Sequence, residues 1–116
     1  MPFTMISENG SGVTGTGQVF TAAGSFTVSV KVTGMVANSS HVSHVHIGSC
    51  ASPGGIAYAL LQVVANSKGE ATATSTVSEY YSLPKTGWYV NVHSGPDLTE
   101  AAYAPSVSCG DLPAAR

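Results

Sequence analysis

Three of the chain's four histidines fall within six positions, in the stretch HVSHVHIGSC at residues 41–50. That stretch ends on Cys50, one of only two cysteines. On an extended backbone residues i and i+2 share a face, so His44 and His46 point one way and Val45 and Ile47 the other. The alternation predicts a strand whose aliphatic side meets a core and whose outer side shows two imidazoles. Two neighbouring imidazoles form a bidentate grip for a metal ion. His41 has the opposite parity and belongs with Val45, outside the ligand set. The fourth histidine lies in WYVNVHSGPDL, residues 88–98. There Trp88, Val90 and Val92 form one face, and Tyr89, Asn91 and His93 the other, less apolar one. If the two strands lie side by side, His44, His46 and His93 make a three-imidazole site with an open position. Such a donor set suits copper or zinc.

The two cysteines, Cys50 and Cys109, are 59 positions apart. They can form a disulfide, which places the chain outside the cytoplasm, or stand as buried free thiols. A low-charge, Ser/Thr-rich composition favours the disulfide and an extracytoplasmic setting, whether periplasmic, cell-surface or secreted. No charged segment leads into an apolar one, so no secretory leader is visible. No apolar run approaches the length of a membrane span. Charged residues are 9% of the chain and net charge is −2. Lys31, Lys68 and Lys85 are scattered and the sole arginine is Arg116, so there is no basic patch for nucleic acid. Neither a Gly-x-Ser-x-Gly elbow nor a lysine-bearing phosphate loop is present.

These residues need strands to hold them, and the 116 residues read as one all-β domain, 1–116. Strands are expected at Phe3–Glu8, Gly12–Phe20, Ser25–Thr33, His41–Ile47, Ala71–Val77, Trp88–His93 and Val107–Cys109. Tyr58–Ala65 reads as a strand or a short helix, and residues 95–105 as an irregular loop. Seven or eight short strands at roughly ten-residue spacing, with Gly, Asn and Pro punctuation, predict a Greek-key β-sandwich or barrel. Trp88 and Val90 are expected in the core.

His41-x-x-His44-x-His46 followed by Gly48 and Cys50 resembles the copper-binding strand of the copper/zinc superoxide dismutases. Leu61–Ala73 (LQVVANSKGEATA) resembles the hairpin that follows it in that family. Val92-His93-Ser-Gly-Pro-Asp-Leu98 resembles the segment carrying the later copper ligand, and Ser108-Cys109-Gly110 the C-terminal cysteine. LPKTGWYVNVHSG also looks like the CHRD (chordin-type) domain, a relative of the same sandwich. The dismutase resemblance implies that His44, His46 and His93 hold copper. It implies that His41 bonds backbone near His93 and fixes the strands, and that Cys50 and Cys109 form an intramolecular disulfide.

Two departures weigh against full dismutase chemistry. About ten residues separate Cys50 from Leu61, with neither His nor Asp among them. The family's bridging histidine and zinc ligands are therefore missing, and zinc binding of the family type is excluded. Ser106 stands where the family has an arginine that attracts superoxide. Three readings follow. The first is an exported copper-binding protein for storage, delivery or tolerance, working with a copper donor or acceptor protein. The second is a copper-only dismutase of reduced efficiency. The third is a non-enzymatic CHRD-like module. An exposed sheet edge leaves a homo-oligomer open.

Overall fold

Phe26, Val28, Val30 and Val32 alternate with Thr27, Ser29 and Lys31, and this period of two makes the longest clean strand of the molecule. In the computed structural model, which describes residues 1–115, that strand is β3 (Ser25–Thr33), with all four apolar side chains buried. It follows β1 (Pro2–Ser7) and β2 (Thr14–Ala22). Then come β4 (Ser40–His41), β5 (Ser43–Ile47), β6 (Ile56–Ala59), β7 (Val63–Val64), β8 (Ala71–Val77), β9 (Trp88–His93) and β10 (Ser106–Asp111). A single 3₁₀ turn at Ala101–Tyr103 interrupts the loop before β10.

Eight strands form one antiparallel sheet in the order β6-β5-β9-β10-β1-β2-β3-β8. The β3-to-β5 and β8-to-β9 connections cross from one half of the sheet to the other, as in a Greek key. The sheet curls into a nearly closed barrel. The β4–β7 pair spans the opening: β7 lies against β8, where Leu61 N–H donates to Ser75 Oγ at 2.8 Å, and β4 leads directly into β5. Inside, Phe26 stacks on Trp88 with ring centroids 5.5 Å apart, and Tyr58 and Tyr81 meet both rings edge-on. Val19, Val28, Val45, Val63, Val90 and Val92 fill the remaining interior. This single core couples the two halves of the sheet, so the faces of β5 and β9 are held by packing rather than by local propensity.

The all-β barrel agrees with the sequence reading, and Ala71–Val77 and Trp88–His93 carry the expected bounds. Other elements differ. The second strand runs from Thr14 to Ala22, because it pairs residue for residue with β3 through the tight turn at Gly24. The segment 58–65 is neither one strand nor a helix: β6 pairs with β5, then the chain steps to β7, which pairs with β4. The expected strand His41–Ile47 is broken at Val42. The last strand is longer than Val107–Cys109, since β9 pairs with it from Ser106 to Asp111.

Candidate metal centre

Strands β5 and β9 are neighbours, and their register sets His44 opposite Asn91 and His46 opposite Tyr89. Cross-strand partners share a face, so His44, His46, Tyr89, Asn91 and His93 all stand on the outer side of the barrel. His44, His46 and His93 each offer one ligand atom, and these atoms lie within 4.8 Å of one another. On that outer side they are nevertheless buried: His44, His46 and His93 are only 8%, 7% and 6% exposed. Two loops cover them: residues 48–55 fold over His46, and residues 94–105 fold over His93. Ile47, expected in the core, is exposed, because β5 reaches the rim of the sheet there.

Each covering loop supplies a carbonyl that fixes one ring. His46 Nδ1–H donates to Gly54 O at 3.0 Å. Gly54 can approach because it has no side chain; a Cβ there would lie 2.2 Å from Ile47 O. His93 Nδ1–H donates to Ala104 O at 2.8 Å. That loop folds back tightly enough for Tyr103 to pack on Gly95, where a Cβ would meet the ring at 2.1 Å. A carbonyl can only accept, so both rings carry their proton on Nδ1 and present an unprotonated Nε2. His93 Nε2 lies 3.2 Å from His44 Nδ1. His46 Nε2 is buried and has no protein partner. Buried acceptors are seldom left without one, and this nitrogen is free to take an electrophile such as a metal ion.

The electrostatics agree. Burial pushes the His44 imidazole below its ordinary pKa, and repulsion from His93 and His46 pushes further in the same direction. Burial also lowers His46, with His93 adding to the effect and the Gly54 bond partly opposing it. Both rings are therefore neutral at neutral pH, the form that binds a metal. Metal–imidazole bonds of about 2.0–2.1 Å place nitrogens about 3.3–3.6 Å apart. The His44–His93 separation of 3.2 Å is within about 0.1 Å of that range, and side-chain rotations of about 1 Å would bring the widest into it. The residues present therefore fit a metal ion held by three imidazoles, with no carboxylate or thiolate in the group.

His41 sits apart from that group, on the core side. Its placement follows from the break between β4 and β5 at Val42. His93 N–H donates to Val42 O at 2.9 Å, but Val42 N–H donates to Gly95 O at 3.0 Å instead of returning to His93. The carbonyl of His93, freed from the ladder, accepts from His41 Nδ1 at 2.8 Å. His41 Nε2 meets Ser39 Oγ at 2.7 Å. His41 thus ties the β4 segment to the backbone of His93.

Cys50 and Cys109 form a disulfide, with Cα atoms 6.0 Å apart. It fastens the loop over His46 to β10, and Cys50 N–H adds a bond to Asp111 Oδ1 at 2.8 Å. Tyr89, placed by the sequence on the same face as His93, also serves the site. Its ring stacks on His46 at 5.0 Å and 18°, and its hydroxyl lies 3.2 Å from Gly54 N and 3.3 Å from Gly54 O. The signal was available in its i+4 relation to His93 on the same face. Met5 and Met35 are buried core residues. Ser106 lies opposite His93 in the β9–β10 register.

Fold and site together define an all-β barrel domain with a buried three-histidine cluster on its outer face. The family model described as the CHRD domain matches residues 3–96, and the chain belongs to that family. The match spans His41, His44, His46, Cys50 and His93 and stops before β10. No curated protein matches the chain.

Proposed function

We propose that this domain is an exported copper-binding protein, with His44, His46 and His93 as the ligands and His41 as the residue that fixes the His93 backbone. The observation that carries the reading is the buried, unpartnered Nε2 of His46, beside the imidazoles of His44 and His93. Three nitrogen donors of this kind favour copper over the earlier divalent metals of the first row. Copper, when bound, would supply a one-electron redox couple. The chain's own residues would hold it and fix the ligand tautomers through Gly54 and Ala104. The disulfide supports a location outside the reducing cytoplasm.

The resemblance to the copper/zinc superoxide dismutases supports the same ligands and leaves a copper-only dismutase as the second reading. Charge argues against efficient turnover. Among the described residues Asp97 and Glu100 are the charged groups of the loop over His93, and Lys85 stands beyond the opposite end of β9. A superoxide anion would therefore meet no positive steering field. The CHRD family membership also leaves a purely structural module as a reading.

Titration of metal-free protein with Cu(I) and Cu(II) against competing chelators decides among these. Tight one-to-one binding, lost in His44→Ala and in His93→Ala, supports the proposal; unchanged affinity in both variants overturns it. Loaded protein with superoxide turnover near the diffusion limit would replace the storage or delivery role with the dismutase one.

A further inference from the structure

Asn91 stands at the centre of the outer face, between the residues of the histidine cluster. Along β9 it lies between Tyr89 and His93 on their side of the strand. Across β5 it faces His44, and across β10 it faces Cys109. Its immediate neighbours are thus two of the three clustered histidines, the tyrosine that stacks on the third, and the disulfide. Its Oδ1 is buried and has no protein partner. Only one other buried side-chain atom among the described residues shares that condition, and it is His46 Nε2. Two orphaned acceptors on one face, beside a set of three ligands, call for a group that can satisfy both. A metal ion held by the three imidazoles satisfies the nitrogen but gives the amide oxygen no donor. An O–H group bound to that metal satisfies the oxygen.

We propose that Asn91 is a positioning residue for the ligand that completes the metal's coordination, a water or hydroxide whose O–H donates to Asn91 Oδ1. The inference rests on the metal reading above. It assigns the open position of the three-histidine site to an oxygen ligand carrying a proton, rather than to a bare anion. An acceptor at this point stabilises bound water and opposes its replacement by an anion that has no proton to donate. Asn91 therefore makes the open position selective.

The test uses Asn91→Val, a substitution suited to a strand. Copper affinity should stay within about threefold of the wild type, because no ligand is removed. Azide titration of the Cu(II)-loaded proteins, read from the azide-to-copper charge-transfer band, should show about tenfold tighter azide binding in the variant, the worth of one hydrogen bond to the displaced water. Unchanged or weaker azide binding would overturn the inference, since the amide would then face away or present its nitrogen. A second readout needs no metal. The metal-free variant should melt at a higher temperature than the wild type, because a buried unpaired acceptor has been removed. A lower melting temperature would mean that Oδ1 has a partner in the apo protein and would likewise overturn the assignment. Failure of the wild type to bind copper would remove the site itself, a result distinguishable from the loss of Asn91's role alone.

Discussion

Lowering the pH should destabilise the metal-free protein through its own histidines. His44 and His46 are held below the ordinary imidazole pKa of 6.5 in the fold, by burial first and then by neighbouring histidines. The sign follows from linkage. The unfolded chain takes up protons near 6.5, whereas the folded rings resist them. Stability from this source is therefore fully present above that pH, and is lost as pH falls from 6.5 towards the depressed folded values. Each such site changes stability by about 1.4 kcal/mol per pH unit within that window. Two sites set an upper limit of about 2.8 kcal/mol between pH 7.5 and 5.5. Protonation of the folded rings keeps the loss below that limit, and even part of it is a large share of a small domain's stability. The assay is guanidinium unfolding in the presence of a chelator, followed through the fluorescence of Trp88, at several pH values. The double variant His44→Asn/His46→Asn should show a clearly shallower dependence. Equal stability at pH 7.5 and 5.5 in the wild type, or an undiminished slope in the double variant, would refute the reasoning.

His41→Ala should destabilise the fold by about 2–4 kcal/mol, since it opens a buried space and strands the His93 carbonyl. Copper affinity should fall far less than in His93→Ala; the reverse order, measured by chelator competition, would make His41 a ligand. Cys50→Ser/Cys109→Ser should cost about 4 kcal/mol in the chain-entropy account of a 59-residue loop, read as a lower melting temperature. Tyr89→Phe keeps the stack on His46 and should change copper affinity little, whereas Tyr89→Ala removes it and should weaken binding roughly tenfold. Equal affinities for the two Tyr89 variants would show that the stack does not orient the ring. Gly54→Ala should weaken copper binding and lower stability together, because the new Cβ collides with Ile47 O and displaces the carbonyl that holds His46.

The parity of two strands made much of the site legible in the sequence. The i, i+2 spacing of His44 and His46, and the end position of His93, required only that β5 and β9 be neighbours, and the register makes them so. What could not be read was the covering. Whether an imidazole on the outside of a barrel is wet or dry depends on loops 48–55 and 94–105. Their paths are set by long-range contacts such as Gly54 against Ile47 and Tyr103 against Gly95. The break at Val42 was hidden for a related reason. Such a break arises from where a backbone N–H finds its acceptor, and nothing in the string His41-Val42-Ser43 marks that choice. Residues 58–65 misled because a short apolar run fits strand and helix alike. Here it serves two strands that pair with different partners. Arg116, noted for the absence of a basic patch, lies outside the described residues.

X-ray absorption at the copper edge of protein loaded with one equivalent of metal tests the central claim most directly. Three imidazole rings at about 2.0 Å, with their characteristic outer-shell scattering, should appear in the wild type. His93→Ala, if it retains any copper, should show two. Two or fewer imidazoles in the wild type, or a spectrum indifferent to that substitution, would contradict a metal held jointly by His44, His46 and His93.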